Sequence, residues 1–127
     1  MSKKILIADD QVFILALLEQ TLEDFATAGV ELLPVSDGQH AWEIAQTNHP
    51  DLVILDVMMP GLSGYEVCRR IKDDPALLHT HVIMLTARGQ EMDRLRSVEV
   101  GADEYITKPF DPDYLIKRVA DVLGVEV

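Results

Sequence analysis

Residues 51–64 read DLVILDVMMPGLSG, and the order of residue types in that stretch decides what kind of fold the chain adopts. Four apolar side chains, Leu52, Val53, Ile54 and Leu55, follow one another without alternation. Alternation marks a strand with one wet face, so an unbroken run reads as a strand covered on both faces, the pattern of a parallel sheet in an α/β protein. The run then delivers Asp56, three more apolar residues and the Pro60-Gly61 turn. A carboxylate at the tip of a buried strand loses hydration, which is costly unless a cation or a donor meets it.

The same pattern recurs on both sides of this stretch. Short apolar runs at residues 4–8, 30–35, 52–55, 82–85 and 104–106 are five candidate strands. Between and after them, apolar residues recur at helical spacing: Val12, Leu15, Leu18, Leu22 and Phe25; Ala41, Ile44 and Ala45; Val67, Cys68 and Ile71; Leu95 and Val98; Leu115, Val119 and Val122. Strands and helices therefore alternate, which predicts a doubly wound parallel sheet, because right-handed crossovers return each helix to the sheet. The breaks agree with this: Asp37-Gly38, Pro60-Gly61, Gly101 and a Pro112 suited to a first helical turn. Pro34 assigns the second strand to an edge. The Leu/Val stripes, Trp42 and Cys68 read as packing.

At 127 residues and 48% hydrophobic, the chain is expected to form one domain, residues 1–127, able to bury a core without disulfides or structural metal. A formal net charge of -11 argues against direct binding to a nucleic-acid backbone. The lone Cys68 offers no intramolecular disulfide, and the N-terminus has two lysines without an apolar signal region, so the expected location is cytoplasmic. No run approaches the roughly 18 apolar residues of a membrane span. The last helical pattern stops shortly before Val127, so no second domain is expected within these residues.

Ligands of open parallel sheets bind outside the carboxyl ends of the strands. Those ends carry Asp9 and Asp10, Asp56, Thr86 and Lys108. Three neighbouring carboxylates repel one another unless a divalent cation is shared. Oxygen ligands without a His or Cys cluster fit a hard ion, Mg²⁺ or its substitute Mn²⁺. Lys108 and Thr86 add a compact positive charge and a hydroxyl, suited to stabilising a phosphoryl group in transfer. Taken singly, Asp10 reads as a helix N-cap, Lys108 as a surface lysine and Thr86 as a strand-end hydroxyl; only the constellation points to chemistry. His40, His49, His79 and His81 lack zinc-site spacing and read as surface or loop residues, and Arg88, Arg94 and Arg96 as a solvated helix face.

ADD at 8–10, DVMMPGLSGYE at 56–66, TA at 86–87 and YITKPF at 105–110 together resemble the receiver domain of two-component response regulators, in order and spacing over nearly the whole chain. The resemblance implies a CheY-like, flavodoxin-like α/β fold: a five-stranded parallel sheet of order 2-1-3-4-5 flanked by five helices. It implies that Asp56 is the phosphoacceptor. Asp10, Asp56 and the backbone carbonyl of Met58 would ligate Mg²⁺, with Asp9 acting through water. Lys108 and Thr86 would contact the phosphoryl oxygens, Thr86 and Tyr105 would form the switch, and the Lys108-Pro109 bond would be cis. By the same resemblance, Met58 and Arg88 would occupy positions that tune phosphoryl lifetime.

The implied function is a phosphorelay switch, in which Asp56 takes a phosphoryl group from the phosphohistidine of a sensor histidine kinase or phosphotransfer protein. The face made by the fourth helical segment, the fifth strand and the last helical segment would then change, with an output protein or an output domain docking around Glu91, Arg94, Tyr105 and Lys117. A monomer or a phosphorylation-dependent dimer is expected. The alternatives are a receiver-like interaction module that is not phosphorylated and, less well matched, a Mg²⁺-dependent aspartyl phosphohydrolase. The latter needs an acid two residues after its nucleophile, where this chain has Met58. A flavin site is disfavoured by the acids after the first strand, and a dinucleotide site by the absence of G-x-G-x-x-G.

Overall fold

A computed structural model of the chain describes residues 2–87 and 91–127, the side chain of residue 91 excepted. Five strands, β1 (Lys4–Ala8), β2 (Glu31–Val35), β3 (Leu52–Asp56), β4 (His81–Ala87) and β5 (Glu104–Lys108), form one parallel sheet of order β2-β1-β3-β4-β5. Pro34 lies on β2, an edge strand, where its missing N–H costs no ladder bond. The helices are α1 (Val12–Thr21), α2 (Glu23–Thr27), α3 (Gly38–Asn48), α4 (Gly64–Asp73), α5 (Glu91–Glu99) and α6 (Pro112–Leu123), with a 3₁₀ turn at Pro75–Leu77. Among the described residues, no helix is long and apolar enough to cross a membrane.

Every residue of β3 is buried, which accounts for its continuous apolar run. Successive side chains go to opposite faces. Leu6, Ala8, Val53, Leu55, Val82 and Met84 pack with Ala41 and Ala45 of α3 and with Val67, Cys68 and Ile71 of α4. Ile5, Ile7, Leu52, Ile54, Ile83 and Leu85 pack on the other face with Leu18 of α1, Leu22 between α1 and α2, Phe25 of α2, and Leu115, Val119 and Leu123 of α6. Truncating any one of the fully buried leucines costs about 2–5 kcal/mol. Local signals set the helix ends: Asp37 accepts from the backbone N–H of His40, Ser63 from that of Glu66, and α6 begins at Pro112 and stops at Gly124, whose φ is 68°.

Two expectations need correction. The five predicted helices are six, because the first apolar stripe is carried by two helices that meet at Leu22 (φ −99°, ψ 11°). There the N–H of Phe25 donates to the Leu22 carbonyl at 3.0 Å, a tightened i to i−3 turn. It keeps Leu22 and Phe25, three residues apart, both fully buried against the sheet. The second correction concerns α5: Leu95 and Val98 are not packing residues but face solvent with Met92, at 48%, 66% and 69% exposure, while Ser97 and Val100 turn inward. Val12, at the head of the α1 stripe, is likewise exposed.

Candidate functional site

Strand register brings the acids together. Ala8 and Leu55 are partners across β1 and β3, so the next residues, Asp9 just past β1 and Asp56 at the end of β3, stand side by side. Lys108 ends β5, opposite Ala87 of β4, and its ammonium reaches back to 2.9 Å from Asp56 Oδ1 and 3.0 Å from Asp9 Oδ2. Carboxylate oxygens of Asp9, Asp10 and Asp56 all lie within 4.8 Å of one another. Asp9 is fully buried, Asp56 nearly so, and Asp10 is exposed. Asp10 does not cap α1: the N-cap is Gln11, which has no side-chain cap bond, and the Gln11 N–H donates to Asp9 Oδ1 at 2.9 Å.

One lysine does not neutralise this cluster. Burial pushes the Asp56 carboxyl from its ordinary 3.8 up to about 6; the bond from Lys108 pulls it down, and repulsion from Asp9 and Asp10 pushes it up again. Burial opposes the Lys108 charge as well, yet its close ion pairs with Asp56 and Asp9 win and hold the ammonium above its usual range. Asp9 Oδ2 is the one buried side-chain oxygen among the described residues that lacks a hydrogen bond. Lys108 is close enough to pair with it electrostatically, but the approach is off the line a hydrogen bond requires.

An orphaned buried oxygen, surplus negative charge and an oxygen-only donor set fit a hard divalent cation. Asp10, Asp56 and Asp9 are the side chains that would hold it. The β3–α4 loop beside them is locked by two close backbone approaches. A Cβ on Gly64 would lie 2.1 Å from the carbonyl oxygen of Asp56, and one on Gly38 would lie 1.7 Å from that of Leu62. The Gly64 N–H donates to the Val57 carbonyl at 2.8 Å, and the Gly38 N–H to the Pro60 carbonyl at 3.0 Å. These glycines were missed as site residues. Their only sequence signal is a glycine at the first position of a helix following an Asp or Ser N-cap, since the close contact is made by another segment. Met58 rides on this loop with its side chain 72% exposed.

Thr86 is buried in β4, one residue past Leu85, the β-partner of Asp56. Tyr105 stands on β5 at 40% exposure with the Arg94 guanidinium 5.6 Å from its ring centre. The Lys108-Pro109 peptide is cis. Arg88 lies outside the described residues, as does the side chain of Glu91. Arg96 does not simply face solvent: its guanidinium lies 4.9 Å from the centre of the Tyr65 ring. His81 is not a loop residue either. It opens β4 at the far end of the sheet, and its Nε2 is 2.6 Å from Glu104 Oε2.

The chain matches the response regulator receiver domain over residues 5–120. It is 42% identical to the alkaline phosphatase synthesis transcriptional regulatory protein PhoP of Bacillus subtilis over 97% of this chain and 49% of PhoP. With the phosphate regulon transcriptional regulatory protein PhoB of Pseudomonas aeruginosa the identity is 44%, over 95% of this chain and 52% of PhoB. The chain thus spans about half the length of these curated relatives. Its fold superimposes on the chemotaxis response regulator CheY4 of Vibrio cholerae with a TM-score of 0.83 at 31% identity, covering 96% of this chain and 99% of that one. Sheet order, the acidic rim and this extent of similarity place the chain in the family of response regulator receiver domains.

Proposed function

We propose that Asp56 is the phosphoacceptor of a phosphorelay switch spanning residues 1–127. Receiver domains act as phosphorelay switches of two-component regulators and generally bind Mg²⁺ at an acidic pocket. The observation that carries the assignment to this chain's residues is the position of Asp56: at the carboxyl end of β3, 2.9 Å from Lys108 and beside two further carboxylates. An Asp56 oxygen attacks the phosphorus of a phosphohistidine. The new O–P bond forms as the P–N bond breaks, and the imidazole leaves with the bonding pair and takes up a proton. Lys108 stabilises charge on the equatorial oxygens, and the Thr86 hydroxyl donates to one of them once the group is in place. Asp10 and Asp56, with the Met58 carbonyl, would hold Mg²⁺ and Asp9 would act through water; the ion, when bound, supplies positive charge to the transferring phosphoryl group.

Two exposed surfaces support the reading of its partners. A sensor histidine kinase or phosphotransfer protein is the donor, and Val12, Phe13 and Leu17 offer it an apolar surface on α1 beside the rim. The output partner docks on α5, β5 and α6, where Met92, Leu95, Val98, Tyr105 and Tyr114 are exposed near Arg94 and Lys117. Phosphorylation draws Thr86 towards the rim and lets Tyr105 turn inward, a population shift between two packings that a docked partner also biases. Charge reversal at Lys117 weakens that docking; unchanged affinity contradicts it. Cytoplasmic placement accords with a donor of this kind.

Incubation with Mg²⁺ and acetyl phosphate, read by intact mass, tests the assignment. One phosphoryl group adds to the wild type and none to Asp56→Asn. No adduct on the wild type leaves an interaction module that is not phosphorylated. Decay of the same adduct reports on Met58, whose side chain limits access of water to the acyl phosphate; Met58→Asn shortens the lifetime, and an unchanged decay removes Met58 from that role.

A further inference from the structure

The side chains by which α4 holds α5 lie on one stripe. Tyr65, Cys68 and Lys72, at i, i+3 and i+7, reach in turn Asp93 in the first turn of α5, the carbonyl of Val100 just past its end, and Asp103 beyond it. Two of the three contacts anchor the end of α5 far from the acidic rim. Cys68 is fully buried with Sγ 3.6 Å from the Val100 oxygen, and Lys72 Nζ is 2.6 Å from Asp103 Oδ2 and 2.9 Å from the Thr80 carbonyl. The third contact is at the rim end, where the Tyr65 hydroxyl donates to Asp93 Oδ1 at 2.7 Å. That is the length of a charge-assisted bond.

Tyr65 also sits where a shift at Asp56 is felt. Its neighbour Gly64 is in backbone contact with Asp56, so close that a Cβ would lie 2.1 Å from the Asp56 carbonyl oxygen, and Gly64 is tied to Val57 by a 2.8 Å bond. One residue further along, the Tyr65 ring is nearly buried and is gripped by α5 through two side chains a turn apart, Asp93 on the hydroxyl and Arg96 over the ring at 4.9 Å. Burial, and then the bond to Asp93, push the Tyr65 phenol up, so it remains a proton donor throughout the neutral range.

We propose that Tyr65 is a positioning residue whose bond to Asp93 latches the rim end of α5 in the unmodified packing, with the Cys68–Val100 and Lys72–Asp103 contacts as the pivot. The trigger rests on the reading of Asp56 as phosphoacceptor. Modification of Asp56 moves the loop and first turn of α4, the latch opens, and α5 swings about its far end. This route reaches α5 through α4, in parallel with the one through Thr86 and Tyr105. A latch closed only in the unmodified packing opposes switching, and removing it favours the switched state by linkage.

The test compares the wild type with Tyr65→Phe, Asp93→Ala and their double variant in two measurements. The first, amide hydrogen exchange without ligand, requires no phosphoryl chemistry: either single change speeds exchange in α5 about tenfold, as expected for loss of one charge-assisted hydrogen bond, and leaves α6 unchanged. The second is affinity for beryllofluoride with Mg²⁺, a mimic of the phosphoryl group. Either single change tightens it several-fold, the double variant no more than the single ones, and Lys72→Met at the pivot does not tighten it. Unchanged exchange in α5 overturns the latch. Faster exchange with unchanged or weaker beryllofluoride binding reduces Tyr65 to a local structural contact and overturns the coupling. If the wild type itself binds no beryllofluoride, the phosphoacceptor reading fails and the trigger with it, while the exchange measurement still decides the latch. Asp93 is only half-buried, so the second variant reports even where Tyr65→Phe folds poorly.

Discussion

At the amino end of the sheet, each acid at the start of β5 has its own cation. Arg118 meets Glu104 with two nitrogens, at 2.7 and 3.0 Å, and His81 meets it at 2.6 Å, while Asp103 takes Lys72 at 2.6 Å and the backbone N–H of Val82 at 2.8 Å. At the carboxyl end, Asp9, Asp10 and Asp56 share Lys108, and one buried oxygen has no hydrogen bond. The acids titrate accordingly. The bonds from Arg118 and His81, opposed by burial, hold Glu104 below its ordinary range, and at Asp103 the Lys72 and Val82 bonds outweigh burial. At Asp56 burial wins and the value rises. The same fold can therefore pair its acids completely. It does not do so at the rim, and surplus buried charge of that kind marks a site that a ligand completes.

The largest expected break in this contrast comes from deleting the cation at each end. Lys108→Met strands two buried carboxylates and destabilises the protein at neutral pH by about 3 kcal/mol, the scale for removing one partner of a buried ion pair. Arg118→Met acts on a pair that keeps contact with water and a second partner, His81, and costs about 1 kcal/mol. Urea unfolding at pH 7.5 measures both. Mg²⁺ recovers part of the loss in Lys108→Met and none in Arg118→Met. Equal losses, or equal recovery, would erase the distinction between the two ends.

Which parts of this contrast were legible in the sequence follows from how local each signal is. KILIA, LVIL and VIML announce doubly covered strands because burial on both faces is written into consecutive residues. Once those strands are parallel, Asp9, Asp56 and Lys108 have to meet at one rim. The turn at Leu22 was invisible, because an apolar stripe looks the same whether one helix or two carry it. The exposed face of α5 was misread, since the spacing of Leu95 and Val98 reports a period and not what covers it. Glu104 with His81, Tyr65 with Asp93, and Gly38 under Leu62 lie 23, 28 and 24 residues apart. Such pairings depend on which elements the topology sets side by side, and no local pattern encodes them.

A smaller effect separates the ends by the sign of their pH dependence. The folded state holds a proton on Asp56 up to about pH 6, whereas the unfolded chain releases it near 3.8. Between those values the native state binds more protons than the unfolded one, so this group's contribution to stability falls as pH rises through the window. In the metal-free protein, Asp56→Asn therefore stabilises by about 1–2 kcal/mol above pH 6, and the gain fades towards pH 4. Denaturant midpoints of both proteins in EDTA, taken from pH 4 to 8, measure it. A gain constant over that range would mean that Asp56 titrates in its ordinary place.

The smallest effect has the opposite sign and lies at the amino end. Glu104 is held below its ordinary 4.5 by Arg118 and His81, so its stabilisation is complete above 4.5 and is lost as pH falls through the lower folded value. Glu104→Gln keeps the shape of the side chain and removes the charge, costing about 1 kcal/mol at pH 7. That loss stays constant across the interval in which Asp56→Asn changes most, and it shrinks only below pH 4.5, where wild-type Glu104 itself takes up a proton. Difference curves for the two variants thus bend in separate windows and in opposite directions. If Glu104→Gln varied between pH 5 and 8 instead, the amino end would be a second proton-sensitive region rather than a closed ion-pair network.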